Sequence, residues 1–291
     1  MNPAGGPEGP VESSSEREFA AQLVDACRRE QISASTLASA HPVTAPGESG
    51  GRIWQVSDAC GRRVFAAKVF GSGRGFDQAW TAHRKWVGPA GVGLPLRGVL
   101  RELRALLFDW TDLHWGGDPA DRDAALALGD RVGRLHTQPA IDDDPMRLAE
   151  ACVRRTQMLL RRMEENAELV AEFGAPSQFG VGLRLDDDQR VPTHRDLRRD
   201  NWGWQGGRVV LIDFEHARLD GAAVDLAELW MRWSPTPIWE DFLTGYGRHR
   251  RLPTEGDLRV WGRISCLGTL LHPVVPLERR MLAMRRLHTL A

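Results

Sequence analysis

The chain has 291 residues, of which 42% are hydrophobic, and a formal net charge of −1. This length provides an ample core for one two-lobed domain or two modest domains, and the near-neutral charge gives no general attraction to nucleic acid or to a membrane surface. The four cysteines lie far apart without C-x-x-C spacing, so the sequence predicts free thiols in a reducing compartment and no zinc site.

Neither a signal peptide nor a membrane-spanning segment is predicted. The first residues lack a basic region followed by an apolar one, and no run of about 18 apolar residues occurs in the chain. We therefore expect a cytoplasmic protein, with no nucleic acid and no membrane among its partners.

The N-terminal third changes from a polar tail to a helix and then to strands. Residues 1–15 are rich in Gly, Pro, Ser and Glu, which predicts a disordered tail, and residues 16–30 have helical apolar spacing. Strands are expected at residues 39–45, 53–56 and 64–70, with glycine-containing turns between them. This pattern predicts an antiparallel meander.

The remainder of the chain is mainly helical. Residues 77–87 have a helical pattern, and residues 96–110 predict a pair of strands that leads into a connector. Further helices are expected at residues 119–137, 145–173, 222–233, 237–247, 256–271 and 276–290. This order predicts an α+β fold with a strand-rich N-terminal lobe over residues 16–110 and a mostly helical C-terminal lobe over residues 111–291.

Residues 191–216 contain the densest group of chemically useful side chains. Two short strands, at residues 202–204 and 208–212, flank a glycine turn and predict a hairpin. Asn201 and Asp213 are equally far from Gly207 in the sequence, so we expect their side chains to oppose each other within one residue. An amide oxygen and a carboxylate at that separation can share one Mg²⁺ ion, which takes its remaining ligands from water and phosphate.

Two features of the N-terminal lobe have both a structural and a chemical interpretation. Lys68, one of only two lysines in the chain, lies within an apolar strand, and it either faces solvent or holds an anion. Gly47, Gly50 and Gly51 form a turn one hairpin upstream. Their backbone N–H groups could approach phosphate oxygens, although hairpin formation alone explains these glycines equally well.

Asp196 lies in the loop before the hairpin, where it is free to face a substrate. His194 beside it is interpreted as a structural hydrogen-bonding residue rather than a base. Asp225 begins a predicted helix, and we interpret it as an N-terminal cap that could also brace the loop. His136 and four other scattered histidines show no metal-ligand spacing, and no chemistry is assigned to them.

Residues 191–216 resemble the catalytic centre of the aminoglycoside phosphotransferase and choline kinase family, a small-molecule branch of the protein-kinase-like fold. The motifs that carry the resemblance are His194-Arg195-Asp196, four residues and Asn201, and then Ile212-Asp213-Phe214-Glu215. The order of lysine strand, connector, helices, catalytic loop and metal aspartate also matches, over about residues 38–290. The catalytic-loop motif is specific, whereas the N-terminal lobe matches only loosely.

The resemblance implies a role for each matching residue of the C-terminal lobe. Asp196 would accept or orient the proton of the acceptor hydroxyl. Asn201 and Asp213 would hold Mg²⁺ on the nucleotide, which is ATP or GTP. Asp225 would match the aspartate that supports the catalytic loop. Phosphoryl transfer needs mainly positioning and charge neutralisation, which these residue types provide.

In the N-terminal lobe the resemblance implies a nucleotide-binding surface. The strand lysine would contact the α and β phosphates, the glycine loop at residues 47–51 would cover the phosphates, and the backbone of the connector would hydrogen-bond adenine. The implied cofactor-binding residues are Lys68, Ser49, Gly50, Gly51, Asp109 and Trp110.

Two features depart from the family pattern. The family usually pairs its strand lysine with a glutamate on the following helix, but residues 71–100 contain no Glu, and Asp77 is their only acid. Either Asp77 takes the place of that glutamate, or Lys68 is held by another residue, or the helix of this chain aligns differently with the helix of the family. Small-molecule members often have Gly after the catalytic His, where this chain has Arg195, as protein kinases do. The short hairpin and the lack of an Ala-Pro-Glu segment argue against a protein kinase.

The sequence therefore predicts a kinase that uses ATP and Mg²⁺ to phosphorylate a hydroxyl of a small molecule, with antibiotic resistance as the expected role. Residues 244–291 contain nine arginines and three acidic residues, which favours a nucleoside- or sugar-containing antibiotic over a polycationic aminoglycoside. One alternative is a metabolic kinase for a sugar, a choline-like amine or an amino alcohol. Another, from a different class, is a catalytically inactive kinase-like binding module.

Overall fold

The computed structural model describes residues 13–30, 32, 36–43, 51–115, 118–119, 121–139, 147–174, 185, 189–272 and 275–290. They form two compact units. The first contains the described residues up to Trp80 together with Leu94–Asp112, and the second contains Thr81–Gly93 and the described residues from Leu113 onward. The predicted α+β fold is confirmed. Residues 81–93 belong to the second unit, although the sequence analysis places them in the N-terminal lobe.

The first unit is built on a five-stranded antiparallel sheet. Helix α1 (Ser14–Arg29) precedes strands β1 (Leu37–Pro42), β2 (Arg52–Asp58) and β3 (Arg63–Val69), and strands β4 (Leu96–Leu100) and β5 (Ala105–Asp109) follow later in the chain. The strand order is β1-β2-β3-β5-β4, and every neighbouring pair is antiparallel. The predicted meander of three strands is therefore confirmed.

Helix α1 begins at Ser14, inside the segment 1–15 that the sequence predicts to be a disordered tail. The Ser13 hydroxyl accepts a hydrogen bond from the Glu16 N–H at 3.3 Å, and the Glu16 carboxylate accepts one from the Ser13 N–H at 2.9 Å. This capping box satisfies two backbone donors that have no partner within the helix, so the helix starts before residue 16. Residues 1–12 lie outside the described part of the chain.

The two faces of this sheet bury different side chains because successive residues of a strand point in opposite directions. Phe65 and Ala67 of β3 pack with Leu23 and Cys27 of α1 in one apolar cluster. By the same alternation Lys68 points to the opposite face. A second apolar cluster, to which helix α2 (Gly73–Ala82) contributes, lies on that face.

The second unit is mainly helical. Helix α2 passes through a π-helical turn (His83–Val87) into the short helix α3 (Gly88–Ala90), and strand β6 (His114–Trp115) precedes α4 (Arg122–His136), α5 (Leu148–Glu164) and α6 (Ala167–Phe173). Strands β7 (Arg190–Thr193), β8 (Trp202–Gln205), β9 (Arg208–Leu211) and β10 (Arg218–Gly221) follow. The last helices are α7 (Ala223–Trp233), α8 (Pro237–Tyr246), α9 (Glu255–Leu270) and α10 (Leu277–Leu290). Strand β6 extends the β8–β9 hairpin, and β7 pairs with β10.

Helices α4 and α8 approach each other closely because each has a glycine at their contact. A Cβ atom at Gly129 would lie 2.1 Å from the backbone oxygen of Phe242, and one at Gly245 would lie 2.1 Å from that of Leu126. The contact places Phe242 and Tyr246 in the core of the second unit.

Two predicted boundaries differ from the structure for local reasons. The helix predicted at residues 145–173 is two helices, because the Asn166 side chain accepts a hydrogen bond from the Leu169 N–H at 3.1 Å and caps a new helix. The sequence does not predict β6, β7 or β10, which span two to four residues and are too short for an alternating pattern.

No helix in the described part of the chain is long and apolar enough to span a membrane.

Candidate active site

The β8–β9 hairpin brings Asn201 and Asp213 to neighbouring positions. Its turn consists of two glycines, at residues 206–207, with φ values of 54° and 79°, a left-handed conformation that glycine adopts without steric penalty. The Ile212 N–H donates to the Asn201 carbonyl at 3.0 Å. Asn201 therefore lies opposite Ile212, and Asp213 is the next residue.

Asp213 leaves the extended conformation immediately after β9. Its φ of 67° and ψ of 61° lie in the left-handed region, which is uncommon for a residue with a side chain and is often found at functional sites. Strand alternation therefore no longer sets the direction of its carboxylate. A 3-10 turn follows at Phe214–His216, and the ring of Phe214 lies 4.6 Å from that of His194 and 5.3 Å from that of His83, which anchors the turn.

Asp196 is oriented by two neighbours in the loop at residues 194–201. Arg198 contacts both carboxylate oxygens, with Nε 2.8 Å from Oδ1 and Nη2 donating to Oδ2 at 3.0 Å. The Nδ2 of Asn201 donates to Oδ2 of Asp196 and to its backbone carbonyl, both at 2.8 Å. Because hydrogen bonds to ionised groups are strong and directional, these contacts fix the carboxylate.

The same hydrogen bonds orient the amide of Asn201. Because Nδ2 is directed at Asp196, the amide oxygen Oδ1 points elsewhere and can act as an acceptor. Amide and carboxylate oxygens are ligands that Mg²⁺ takes. No cluster of three or more His, Cys, Asp or Glu side chains within the described ranges could hold a metal, so a cation at Asn201 and Asp213 would take its other ligands from water or a nucleotide.

His194 connects the loop to the hairpin. It is fully buried. Its Nε2 donates to the Ile212 carbonyl at 2.7 Å, and its Nδ1 accepts the Asp196 N–H at 3.3 Å. Both ring nitrogens are therefore used within the protein, which agrees with the predicted structural role.

Asp225 supports the loop and does not cap its helix. The residue at the N-terminal cap of α7 is Ala222, whereas Asp225 is 2% exposed and lies in the first turn. Its Oδ2 accepts the His194 N–H at 2.7 Å, and its Oδ1 accepts the Arg195 N–H at 2.6 Å. The cap interpretation is therefore wrong, because the carboxylate binds amides of the loop and not those of its own helix.

His136 completes this buried support. Its Nε2 donates to Oδ2 of Asp225 at 3.0 Å, and its Nδ1 lies 2.9 Å from the Tyr246 hydroxyl. Burial acts to raise the pKa of Asp225, but the hydrogen bonds that the carboxylate accepts from the His136 ring and the His194 backbone outweigh it and hold that pKa below its ordinary value. This supporting role of His136 was not predicted from the sequence. The one feature that could have indicated this role is that His136, a polar residue, occupies a buried position of helix α4.

Arg195 has a φ of 68°, which explains physically why glycine suits this position. Asp225 accepts the backbone N–H of Arg195. The Arg195 Nε lies 3.5 Å from the buried carboxylate of Asp220. Arg155 and Arg218 contact the same carboxylate at 3.7 and 3.2 Å. Burial, reinforced by the neighbouring arginines, lowers the pKa of Arg195 to about 10, which still leaves the side chain charged at neutral pH.

A cavity of about 480 Å³ opens beside Asp196. Its walls come from the loop at residues 194–201 and from α7, α9 and α10, including Arg286. Among the described residues that line it, neither Asn201 nor Asp213 is present. Asp196 therefore borders a space of the size that small-molecule ligands occupy, and the Asn201–Asp213 pair lies outside that space.

In the first unit Lys68 pairs with Ile53 and Leu106 across the sheet. Its Nζ lies 5.1 Å from the ring centroid of Phe70, within reach of a cation–π contact. Asp77 is exposed, and it forms no ion pair with any residue that the structure describes. Asp77 therefore does not replace the glutamate that the family pairs with its lysine.

The remaining predicted nucleotide contacts are only partly described. Ser49 and Gly50 lie outside the described residues, and Gly51 is half-buried directly before β2.

At the end of β5, the Trp110 N–H donates to the Val64 carbonyl at 2.9 Å. Because hydrogen-bonded and non-hydrogen-bonded pairs alternate along an antiparallel ladder, the adjacent pair of Asp109 with Phe65 is of the non-hydrogen-bonded kind. The backbone N–H and C=O of Asp109 therefore point away from β3.

Within the second unit the structure brings Asp196 into direct contact with Asn201 and places Asp213 next to the strand partner of Asn201. The pairing of Arg198 with Asp196 was not predicted from the sequence. Its one local signal is the opposite charge two residues away.

The family model described as phosphotransferase enzyme family matches residues 79–262, which is more than half of the chain. Solved structures share the fold over nearly the whole chain. A macrolide 2'-phosphotransferase from Brachybacterium faecium is 18% identical with a TM-score of 0.63, and the match covers 91% of this chain and 97% of that one.

Choline kinase LicA from Streptococcus pneumoniae is 13% identical with a TM-score of 0.62, over 92% of this chain and 99% of that one. A spectinomycin phosphotransferase in complex with ADP and spectinomycin is 11% identical with a TM-score of 0.55, over 97% and 95% of the two chains. The TM-scores establish a shared protein-kinase-like fold, and at identities this low the likeness shows nothing beyond the fold. The family match, over more than half of the chain, shows that the chain belongs to the phosphotransferase enzyme family.

Proposed function

We propose that the chain transfers the γ-phosphoryl group of ATP, with Mg²⁺, to a hydroxyl of an antibiotic and so confers resistance. The observation that carries this proposal is the position of Asp196, which borders a cavity of about 480 Å³ on a loop whose backbone is held by the buried carboxylate of Asp225. Phosphoryl transfer depends mainly on positioning and electrostatic stabilisation, and this loop is positioned before any substrate arrives.

Asp196 would act on the acceptor. A hydroxyl in the cavity would donate its hydrogen bond to the Asp196 carboxylate, which would take the proton as the new O–P bond forms. A carboxylate offers about four acceptor sites on two oxygens. The hydroxyl can therefore bind without displacing Arg198 or Asn201.

Asn201 and Asp213 would hold Mg²⁺. The support is the oriented amide of Asn201, whose Nδ2 is committed to Asp196 and whose oxygen is left for a cation, with a carboxylate one residue beyond its strand partner. A bound Mg²⁺ ion neutralises charge on the nucleotide phosphates. Asp213 would keep this position through its left-handed backbone and the anchored ring of Phe214.

Residues of the first unit would bind the nucleotide. Lys68 would contact the α and β phosphates, and Ser49, Gly50 and Gly51 would cover them. We favour the backbone of Asp109 as the contact to adenine, because the Trp110 N–H already donates to a carbonyl of β3. The ADP in the complex of the spectinomycin phosphotransferase supports nucleotide use.

The antibiotic acceptor is proposed because two of the three similar structures described above are antibiotic phosphotransferases. A metabolic kinase is the second candidate, which the match to a choline kinase favours. At these identities neither acceptor transfers directly to this chain.

The test is a screen of natural-product antibiotics, sugars and amino alcohols for an ATP-dependent mass gain of one phosphate. Asp196→Asn is expected to lower turnover by roughly 10²–10⁴-fold, the usual contribution of a general base, while nucleotide still binds. Asp213→Asn is expected to abolish the Mg²⁺ dependence of nucleotide binding measured by calorimetry. Asp123→Asn, at an exposed position of α4, is the matched control and should retain full activity.

Full activity of Asp196→Asn would refute the role of that residue. Nucleotide binding without a mass gain in any compound would favour the inactive binding module. Phosphate gain confined to sugars or amino alcohols would favour the metabolic kinase.

A further inference from the structure

The cavity beside Asp196 is lined by six arginines and four acidic residues. Several of these charges are satisfied within the protein. Arg198 pairs with Asp196, and Arg232 lies 3.3 Å from Asp118 and 3.2 Å from Glu228. Arg195 lies 3.5 Å from Asp220 and Arg199 lies 3.7 Å from Asp200, so acidic partners account for four of the six guanidinium groups.

Two arginines of α10 have no acidic partner among the residues that the structure describes. Arg279 and Arg286 line the cavity, and within the described residues neither forms an ion pair. They are seven residues apart on one helix, which places them about two turns and 10 Å apart on the same face. Their long side chains can therefore reach one group that lies between them.

Glu228, on α7, is already paired with Arg232 at 3.2 Å and is therefore not a dedicated counter-charge for these arginines. Burial raises its pKa, and the repulsion from Asp196 adds to that effect, although Arg232 and Arg286 act in the opposite direction.

These arginines are also separated from the proposed cation site. Among the described residues, Asn201 and Asp213 do not line the cavity, whereas Arg279 and Arg286 of α10 line it together with Asp196. A surplus of guanidinium groups at this location suits an anionic oxygen group of the acceptor, because arginine binds carboxylate and phosphate in bidentate fashion.

We propose that the acceptor carries a carboxylate or phosphate group that Arg279 and Arg286 bind, in addition to the hydroxyl that faces Asp196. This inference rests on the proposed function, since it assigns the cavity to the acceptor. It also specifies the acceptor further, because a neutral antibiotic would leave the two guanidinium groups without an ion-pair partner among the described residues, and a polycation would be repelled.

The test uses four pyranoses that share hydroxyl groups and differ in charge: D-glucose, D-glucosamine, D-glucuronate and D-glucose 6-phosphate. Their dissociation constants are measured by calorimetry on the full chain with Mg²⁺ and a non-hydrolysable ATP analogue. At least one of the two anions is expected to bind about tenfold more tightly than glucose, the gain from one charge-assisted contact. Glucosamine is expected to bind most weakly. The two anions distinguish a carboxylate site from a phosphate site.

Arg279→Gln and Arg286→Gln are expected to remove the preference for the anion and its dependence on ionic strength. Arg285→Gln is the matched control, because Arg285 is exposed on the same helix and does not line the cavity among its described residues. Thermal midpoints of all variants verify folding.

Equal or tighter binding of glucosamine, no measurable binding of either anion, or an unchanged preference in both variants would overturn the inference. Anion binding without phosphoryl transfer to any compound supports the anionic site while it contradicts the proposed kinase activity. Phosphoryl transfer to neutral or cationic acceptors at the same rate as to anionic ones would support the kinase activity and refute the anionic site.

Discussion

Replacing Asp225 by Asn is expected to destabilise the second unit and to loosen the loop that carries Asp196. The carboxylate accepts the His194 N–H at Oδ2 and the Arg195 N–H at Oδ1. An Asn side chain has one oxygen and one NH₂ group. Whichever way the amide is turned, one of the two backbone N–H groups then faces another donor.

The magnitude follows from these contacts. A buried donor without a partner costs about 1–3 kcal/mol, and hydrogen bonds to a charged group are worth roughly 1 kcal/mol more than those to a neutral one. The variant also weakens the His136 contact at 3.0 Å. We therefore expect the free energy of unfolding to fall by about 3 kcal/mol, a large share of the roughly 5–15 kcal/mol that stabilises a typical domain.

The assay is urea unfolding followed by the fluorescence of the tryptophans, of which the chain has 11. Asp130→Asn is the matched control. Asp130 forms another Asp–His pair, with His249 at 2.7 Å, but the two side chains are 17% and 24% exposed. Within the described residues no hydrogen bond or ion pair joins Asp130 or His249 to the loop at residues 194–201. Because partly exposed ion pairs contribute little, a loss of about 1 kcal/mol or less is expected.

An Asp225→Asn variant as stable as the unmodified chain would refute this reasoning, as would an equal loss in Asp130→Asn. A stable variant with full activity would show in addition that the loop does not need its support.

The stabilisation by Asp225 should also depend on pH. Its pKa in the folded chain is below the ordinary value, so the unfolded chain takes up the proton more readily. The contribution is then fully present above the unfolded pKa of about 3.9 and is lost as the pH falls through the folded pKa. The difference in unfolding free energy between the unmodified chain and Asp225→Asn should shrink on acidification below about pH 4, and a difference that grows would contradict the assignment.

Two further predictions concern helix packing and thiol reactivity. Gly129→Ala should lower stability by about 3 kcal/mol or more, because the new Cβ would lie 2.1 Å from a backbone oxygen of α8. Gly268→Ala in α9, with no atom within 4 Å of the new Cβ, should raise stability by up to about 1 kcal/mol. Thermal midpoints would reveal a failure of either expectation. Iodoacetamide at about pH 8 should modify the exposed Cys60 first, because burial raises the pKa of Cys27 to about 11 and that of Cys266 to about 12. Early alkylation of Cys266, read by peptide mass spectrometry, would contradict the described packing of α9.

Local sequence was sufficient for the elements and for the order of the chemistry. The glycine pair at residues 206–207 and the flanking apolar strands determine a hairpin, and its register then sets Asn201 beside Asp213. Helical periodicity located α7 to α10 within one or two residues. These features depend on neighbours in the chain, so a pattern of a few residues is enough to predict them.

Tertiary structure alone decided what holds and surrounds Asp196. The bond between His136 and Asp225 joins residues 89 positions apart, and Asp225 supports amides 30 and 31 residues upstream. Arg195, whose backbone is left-handed, also donates its N–H to the carboxylate of Asp225. Likewise the cavity combines the loop with faces of α7, α9 and α10. Periodicity shows which face of a helix is buried, but it does not show which distant side chains that face meets, because that is decided by packing between helices.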